Sequence, residues 1–462
     1  MSDVTLVFPR FKYTAGDFSL GLAYLSAYVK REIDDIEIGM IDTTFNASFE
    51  YVGRELDRQT PRIVGIQTDT LMFDDAMRVA ELAKNRGAFV VLGGPHPTVL
   101  PETVMNNKNV DAVCIGEGEI TFTGLIRAVR DGTDLGQVAG IWYRTDGTVR
   151  RNPPREPIED VDSLPFPDIE IFDVERYINN FIQLDSYKQG LRGLSVIVSR
   201  GCPFGCAYCQ PTLVSIFGKK FRIRSPKNVV TELKELKSKY NLDAVYFQDD
   251  TLTVSRKWIM EFRDCILDEH LDLAWACNTR ADIIDEQMLQ AMKDAGLVKV
   301  KVGIESICDR VRNGIYRKAV ESAQIQNLID VGKRLGIQVT GFFMLGAPTE
   351  TAAEIKQTIK FAARSGLTEA NFSVTVPLPK TYLYEHAIEC GWTVPDRYGD
   401  YDYYHAVRGP MAVGDVSAES LERYKKLAYL YFYLHPSRLW NTIKVVFGPK
   451  GFRKTIQKLK RF

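Results

Sequence analysis

The sequence predicts an α/β protein with two successive parallel-sheet domains and a helical C-terminal extension. Strand-like and helix-like segments alternate through residues 1–150, the alternation resumes near residue 191, and five prolines within residues 152–168 separate the two stretches. Proline lacks a backbone N–H and fixes φ, so this stretch is expected to be an extended connector. The predicted limits are 1–150 and 191–385 for the two domains, 151–190 for the linker and 386–462 for the extension.

The composition narrows the class of protein. Of the 462 residues, 45% are hydrophobic and 26% are charged, which is ordinary for a globular chain and excludes a disordered or collagen-like one. The 59 basic and 59 acidic side chains give a formal net charge of zero, so no nucleic-acid partner is expected. That zero is an average, because residues 423–462 hold eleven Lys or Arg and no Asp or Glu.

The location is expected to be cytoplasmic. No apolar run approaches the ~20 residues that span a bilayer, and the N-terminus lacks a signal-peptide pattern. The eight cysteines are too few for a disulfide framework, but three of them are clustered, which points to metal chemistry.

The first domain reads as a Rossmann-like parallel sheet. Strands alternating with helices imply βαβ units with right-handed crossovers. A turn at residues 145–147 suggests a closing hairpin. The predicted strands are Val4–Phe8, Ile36–Ile41, Ile63–Gln67, Phe89–Leu92 and Ala112–Ile115, with helices at Leu20–Val29 and Ala76–Asn85.

The second domain contains six strand-helix steps. This spacing suits a partial (βα)₆ barrel of the TIM type as well as an open sheet, and periodicity alone does not separate the two. The predicted strands are Leu194–Ser199, Ala244–Gln248, Leu273–Asn278, Val298–Gly303, Val339–Leu345 and Ala370–Val376.

A cysteine cluster directly follows the first strand of the second domain. Residues 199–210 read SRGCPFGCAYCQ, which places Cys202, Cys206 and Cys209 in a C-x₃-C-x₂-C spacing. Three thiolates at these separations can bind three irons of one cubane and leave the fourth iron open. A structural zinc site normally needs four protein ligands, and no fourth is evident nearby. The three cysteines are therefore the predicted metal ligands.

This motif, with aromatic Tyr208 before the last cysteine, resembles the signature of the radical S-adenosylmethionine enzymes. The resemblance implies a [4Fe-4S] cluster on the three catalytic cysteines, with S-adenosylmethionine bound at the open iron. It also implies a one-electron reductant such as ferredoxin or flavodoxin, and cleavage to a 5′-deoxyadenosyl radical that abstracts hydrogen from the substrate. The protein's part is to position the cofactors and exclude water.

Polar residues at other strand ends match the cofactor-contacting segments of that family. Asp249 and Asp250 could accept hydrogen bonds from an ammonium group, or cap the helix that follows at residues 255–258. Glu305 could bind ribose hydroxyls or form a salt bridge. The remaining residues in the predicted cofactor set are Asn278, Arg280, Ser306 and Gly346, of which the glycine would admit adenine close to the backbone.

The first domain carries glycine-rich loops after two strands. They read LGGPHPTVLPE at 92–102 and IGEGE at 115–119, and paired glycines let a bulky ligand approach the backbone. The arrangement resembles the cobalamin-binding domain fused before the radical domain in one subclass; alternatively, the domain keeps the fold and binds no corrin. The resemblance implies cobalamin contacts at Thr68, Gly93, Gly94, His96, Gly116 and Glu117.

A histidine ligand below the cobalt is not expected. Residues 41–49, where many cobalamin domains place that histidine, read IDTTFNASF. His96, between two prolines, could contact the corrin edge or serve only a loop hydrogen bond.

Three functions follow from the resemblance. The leading one is methylcobalamin-dependent methyl transfer to an unactivated carbon of a small-molecule or lipid-like substrate, with lipids and tetrapyrroles among the candidates. The second keeps both cofactors but forms a ring or rearranges a skeleton. The third is a non-catalytic corrinoid or iron–sulfur carrier. Residues 398–405, YGDYDYYH, are a candidate substrate wall or an aromatic surface loop.

The basic tail has two interpretations. Phe452, Ile456 and Leu459 can share one helical face among basic residues, and such a helix can lie on an anionic bilayer. The protein would then sit peripherally at the inner face of the membrane. Alternatively, the tail is a solvated helix packed on the barrel.

Overall fold

The structure, a computed structural model, describes residues 2–12, 16–392, 395, 397–402 and 416–439. Its described residues form two compact units. The first comprises the residues up to Asn180 together with Thr212–Arg222 and Arg397–Gly399, and the second comprises the others.

The first unit is built on a seven-stranded sheet with the order β2-β1-β3-β4-β5-β6-β7. The first five strands are parallel, and the antiparallel hairpin β6–β7 closes the sheet, as the turn at 145–147 predicted. The predicted Rossmann-like sheet is confirmed. Its strands are β1 (Val4–Phe8), β2 (Ile38–Asp42), β3 (Ile63–Gln67), β4 (Phe89–Gly93), β5 (Ala112–Cys114), β6 (Ile141–Thr145) and β7 (Thr148–Arg151).

Helices cover this sheet because their apolar faces pack on the buried strands. Ser19 and Ser48 accept hydrogen bonds from the first-turn amides of α1 and α2, which fixes where those helices begin. Strands β1 and β3 contribute fully buried Val7 and Val64 to the core. The helices are α1 (Leu20–Glu32), α2 (Phe49–Gln59), α3 (Phe73–Lys84), α4 (Pro95–Val99), α5 (Pro101–Met105), α6 (Gly118–Asp131), α7 (Val174–Asn179) and α8 (Thr212–Phe217).

Much of the proline-rich connector packs on the first unit. The Ser26 hydroxyl donates to Asp168 at 2.6 Å, and the Tyr177 hydroxyl donates to Asp42 at 2.6 Å. Phe18 and Phe172 lie against each other at a centroid distance of 5.3 Å. The compact unit therefore extends to Asn180, past the predicted domain limit of 150.

The second unit is built on a six-stranded parallel sheet with the order β15-β14-β13-β12-β11-β8. This is the half-barrel sheet that the six strand-helix steps predicted. Strands β9 (Ser199–Arg200) and β10 (Arg222–Ile223) are two-residue strands outside it. The sheet contains β8 (Gly193–Val196), β11 (Ala244–Phe247), β12 (Ala274–Thr279), β13 (Leu297–Glu305), β14 (Gln338–Leu345) and β15 (Glu369–Val374).

The helices of the second unit begin at side-chain caps. Ser225, Ser255 and Thr351 each accept a hydrogen bond from a first-turn amide. The helix Ser322–Leu335 begins no earlier, because Ala319 has a φ of +55° and Glu321 forms a capping box. The helices are α9 (Pro226–Tyr240), α10 (Arg256–Asp268), α11 (Glu286–Asp294), α12 (Ser322–Leu335), α13 (Ala352–Arg364), α14 (Tyr382–Glu389) and α15 (Ala418–Tyr433), with a π-helix at Arg310–Ile315.

The C-terminal extension is helical in its described part, which contains α14 and α15. The residues of the predicted tail helix, with Phe452, Ile456 and Leu459, lie outside the described residues, as do residues 403–405 of the aromatic segment. Within the residues that are described, no helix is both long enough and apolar enough to cross a membrane.

A buried ion pair gives a test of the second unit. Arg224 and Glu232 form a salt bridge with side chains only 5% and 4% exposed. Substituting Arg224→Met leaves the Glu232 carboxylate buried without its partner, so we expect unfolding by urea to require about 3–5 kcal/mol less free energy. The matched control is Arg256→Met, which removes an exposed pair with Asp285 and should cost about 1 kcal/mol or less. Equal losses of unfolding free energy in the two variants would contradict the burial of the Arg224–Glu232 pair.

Candidate active site

The three cysteines lie on one loop at the carboxyl end of β8. Cys206 is buried, and Cys202 and Cys209 are partly buried. Arg280, just beyond β12, donates from Nη1 to the Cys206 Sγ at 3.3 Å, and its guanidinium lies 3.9 Å from the Phe204 ring centroid. Arg280 is itself oriented by Asp282 and by the Lys318 carbonyl. A cation is thus fixed against one of the predicted cluster ligands.

The electrostatics of this loop fit a metal-thiolate group. Burial raises the pKa of the Cys202 and Cys209 thiols, and the neighbouring cysteines raise it further. The thiols are protonated without metal, so a cluster would displace their protons and the Arg280 cation would offset the added negative charge. Among the residues that are described, no group of three His, Cys, Asp or Glu is placed to hold a single metal ion. Cubane ligands bind different irons and stand further apart than the ligands of one ion.

Tyr208, Glu305 and Lys318 form a buried polar cluster beside this loop. The Tyr208 hydroxyl donates to Glu305 Oε1 at 3.0 Å, and Lys318 Nζ donates to the same oxygen at 2.6 Å. Lys318 Nζ also donates to the Tyr208 oxygen at 3.0 Å. A Cβ on Gly303 would overlap both Glu305 and Lys318, so the glycine makes room for the pair. The salt-bridge interpretation of Glu305 is present in the structure, while its ribose contact stays a prediction.

The two neighbouring aspartates have different environments. Asp249 is fully buried and accepts hydrogen bonds from the Val198 and Ser199 amides at 3.0 and 2.5 Å. Burial raises the pKa of Asp249 to about 6. Asp250 is exposed, so it is the aspartate whose side chain solvent or a ligand can reach. The alternative that either residue caps α10 is wrong, because Ser255 is the cap.

Asn278 lies near the carboxyl end of β12, and Gly346 follows β14, with β13 between the two strands. Asn278 donates to the Asp249 carbonyl at 2.8 Å and accepts from the Tyr246 hydroxyl at 2.9 Å. Gly346 has a φ of +86°, and a Cβ there would lie 2.7 Å from Leu421, so only glycine fits without strain. Ser306 is fully buried and contacts Thr358 Oγ1 at 3.0 Å. Their cofactor contacts remain predictions.

The Gly346 turn is fixed by a carboxylate that the sequence analysis did not single out. Glu350 accepts from the Gly346 and Ala347 amides at 2.7 and 3.0 Å. Burial raises the pKa of Glu350 to about 7. Its position four residues after the glycine is the signal that could have found it.

The predicted cobalamin loops lie at the carboxyl ends of β3, β4 and β5 and are linked to one another. Thr68 donates its amide to the Gly93 carbonyl at 2.9 Å, and a Cβ on Gly94 would lie 2.8 Å from the Thr68 carbonyl oxygen. Gly94 also has a φ of +111°, so glycine is required there. Thr98 accepts from the Gly116 amide at 3.0 Å, which joins the two glycine loops.

His96 is enclosed by aromatic rings. It is fully buried, its Nδ1 lies 3.1 Å from Thr70 Oγ1, and its ring lies 4.4 Å from Phe73 and 4.6 Å from Tyr398. Its Nε2 has no hydrogen-bond partner among the described residues. Burial lowers the pKa of His96 to about 4, so the ring is neutral near pH 7.

Glu117 is committed to a buried ion pair. It accepts from Arg222 Nη1 and from the Ile158 amide, both at 2.8 Å, and the two side chains of the pair are 5% exposed. No short-range sequence pattern links residues 117 and 222, and this partner was therefore missed. Beside Gly116 is a cavity of about 210 Å³ lined by residues 115–117, 154–158, 214–216 and 218 among others.

Two family models match the chain. The Radical SAM superfamily model covers residues 196–362, and the B12 binding domain model covers residues 17–126. An uncharacterised methyltransferase of Pyrococcus horikoshii is 34% identical over 94% of this chain and 91% of its own length. The chain belongs to the radical SAM superfamily. It is an enzyme of that superfamily with a B12-binding domain before the radical SAM domain.

Two further similarities are informative. The anaerobic magnesium-protoporphyrin IX monomethyl ester cyclase of Rubrivivax gelatinosus is 30% identical over 79% of this chain and 65% of its own length. The radical SAM methyltransferase TsrM of Kitasatospora setae, solved with cobalamin and a [4Fe-4S] cluster, superposes with a TM-score of 0.69 at 19% identity. That match covers 92% of this chain and 82% of TsrM, and it supports the fold assigned to both units.

The enclosure of His96 gives a pH-dependent prediction. The unfolded chain has a histidine pKa near 6.5, so between that value and about pH 4 it binds more protons than the folded chain. Stability is therefore lost as the pH falls through this window. From pH 7 to pH 5, wild-type protein should lose about 2 kcal/mol more unfolding free energy than His96→Asn.

The matched control for this measurement is His270→Asn, which changes an exposed histidine. It should keep the wild-type pH dependence. Identical pH profiles for wild type and His96→Asn in urea unfolding would show that His96 is not buried in its neutral form.

Proposed function

We propose that this enzyme is a cobalamin-dependent methyltransferase that adds a methyl group to an unactivated carbon of an organic substrate. One observation carries the proposal: a loop with three cysteines lies at the carboxyl edge of one parallel sheet, and glycine-rich loops matching a B12-binding domain lie at the carboxyl edge of the other. The similarity to a methyltransferase of Pyrococcus horikoshii over nearly the whole chain supports it.

The residues of the second unit would hold the cluster and S-adenosylmethionine. Cys202, Cys206 and Cys209 would ligate three irons, and the Arg280 cation orients Cys206 and balances its charge. Asp250, exposed at the end of β11, is available to accept hydrogen bonds from an ammonium group. When bound, the cluster and S-adenosylmethionine supply the radical chemistry, and cobalamin supplies the methyl group.

The buried cluster of Tyr208, Glu305 and Lys318 would position the loop that carries the three cysteines. Lys318 neutralises Glu305 and holds the Tyr208 hydroxyl, so the residue between Cys206 and Cys209 is fixed through two hydrogen bonds. The Glu305 backbone has a φ of +61°, a conformation that this buried pair helps to maintain.

The first unit would hold cobalamin at Thr68, Gly93, Gly94 and Gly116, without a histidine below the cobalt. The β2 loop carries threonines with partners of their own: Thr43 Oγ1 donates to the Phe8 carbonyl at 3.2 Å, and Thr44 Oγ1 accepts from the Tyr177 hydroxyl at 3.0 Å. Neutral His96 would line the corrin edge. Glu117 would position the Gly116 loop through its ion pair with Arg222.

Ring formation is the second candidate function. The similarity to the Rubrivivax gelatinosus cyclase favours it, and it uses the same two cofactors. Both functions need a one-electron reductant such as ferredoxin or flavodoxin. Candidate substrates include lipids and tetrapyrroles, and the basic segment from Arg423 to the C-terminus would bring the enzyme to a membrane that holds them.

A product assay distinguishes the functions. The reconstituted enzyme is incubated anaerobically with reductant, S-adenosylmethionine, cobalamin and candidate substrates. Methyl transfer predicts that deoxyadenosine and S-adenosylhomocysteine both form, because one S-adenosylmethionine is cleaved and another remethylates cobalamin. Deoxyadenosine without S-adenosylhomocysteine would favour the cyclase, and neither product from loaded enzyme would indicate a carrier.

The cluster assignment has its own variant pair. Cys206→Ala should lose iron and abolish deoxyadenosine formation, because one of three cluster ligands is gone. Cys265→Ala changes a cysteine on α10, apart from the cysteine loop, and should retain both. A Cys206→Ala enzyme that still makes deoxyadenosine would overturn the assignment.

A further inference from the structure

Helix α15 presents an apolar stripe to solvent. Leu427, Leu430, Tyr431 and Leu434 are 42%, 52%, 57% and 58% exposed. Their spacing of three, one and three residues places them on one helical face, from the middle of the helix to its C-cap. A contiguous group of large exposed apolar side chains on one face indicates an interaction surface.

The opposite face of α15 is fixed against the second unit. Leu421, Ala428 and Phe432 are buried, and the Phe432 ring lies 6.5 Å from Phe372 of β15. The Tyr429 hydroxyl accepts from the Phe372 amide at 3.0 Å. The helix therefore has a defined rotation, and the stripe faces outward because the other side is packed.

Basic side chains flank the stripe. Helix α13 runs beside α15 in the same direction, because Lys356 Nζ lies 5.8 Å from the Tyr424 ring centroid and Arg438, beyond α15, donates to the Ala363 and Leu367 carbonyls. The exposed basic residues on the two helices are Lys356, Lys360 and Arg364 of α13 and Arg423 and Lys426 of α15.

Few acidic groups oppose these cations. Glu354 of α13 is paired with Arg310, and Glu422 of α15 is buried next to Lys425. Glu419 lies in the first turn of α15, before the stripe begins. From Arg423 to the C-terminus the sequence contains no Asp or Glu. The stripe is thus apolar in its centre and positive around it.

We infer that the α15 stripe is a docking surface for an anionic phospholipid membrane. Leucines and a tyrosine would enter the interfacial layer, and the surrounding Lys and Arg would meet lipid phosphates. A second copy of the chain fits less well, because a two-fold interface through this stripe would bring the two basic rims together. The inference deepens the proposed membrane contact by assigning it to the α15 stripe, and its test is independent of methyl transfer, since membrane binding requires neither cofactor nor substrate.

Vesicle co-sedimentation of the full chain tests the inference. The vesicles are phosphatidylcholine alone or phosphatidylcholine with phosphatidylglycerol. Wild-type enzyme should sediment with the anionic vesicles and much less with the neutral ones. The double variant Leu430→Glu/Leu434→Glu should bind at least about tenfold more weakly, because both changes replace inserting apolar groups by negative charges.

The matched control is Leu267→Glu, which makes the same change at an exposed leucine of α10 and should bind as wild type does. Since all variants keep the basic tail, the comparison separates the stripe from the tail. The inference would be overturned if the wild-type protein does not sediment with anionic vesicles. It would also be overturned if the double variant binds these vesicles as wild type does. Sedimentation velocity showing a wild-type dimer that the double variant dissociates, without vesicle binding, would instead identify a second copy as the partner.

Discussion

The structure depends on one constraint, the common direction of the strands in each parallel sheet. Because neighbouring strands run the same way, all of their carboxyl ends meet at one edge, and the loops that follow them are brought together. In the second unit this edge gathers the cysteine loop after β8, Asn278 of β12, Glu305 of β13 and the Gly346 turn after β14. In the first unit it gathers the loops at Thr68, Gly93 and Gly116. Residues far apart in sequence become one site for this reason.

Ionisable side chains buried at the site have partners that compensate their charge. A buried thiolate, a buried glutamate and a buried aspartate would each be unfavourable alone. The structure supplies Arg280 to Cys206, Lys318 to Glu305, and backbone amides to Asp249. These partners prearrange the loop, so less reorganisation is needed when a negatively charged cluster binds.

Much of this architecture could be predicted from the sequence, because it rests on local signals. Strand-helix alternation gave both sheets, and the cysteine spacing with Tyr208 identified the superfamily. The partners Lys318, Arg222 and Thr98 could not be predicted, since each acts across a long sequence separation that only the folded chain closes. The role of Asp249 was ambiguous for a similar reason: the amides that donate hydrogen bonds to it, those of Val198 and Ser199, lie some fifty residues earlier. The packing of the proline-rich connector on the first unit could not be predicted, because proline content predicts an extended backbone but does not predict what that backbone packs on.

On the proposed function, one chain holds two different cofactors, each at the carboxyl edge of its own sheet. The most direct test is the iron and cobalt content of the chain after anaerobic reconstitution with iron, sulfide and cobalamin. We expect about four irons and one cobalt per chain, the contents of one cubane cluster and one corrin. Iron without cobalt, or cobalt without iron, would contradict it.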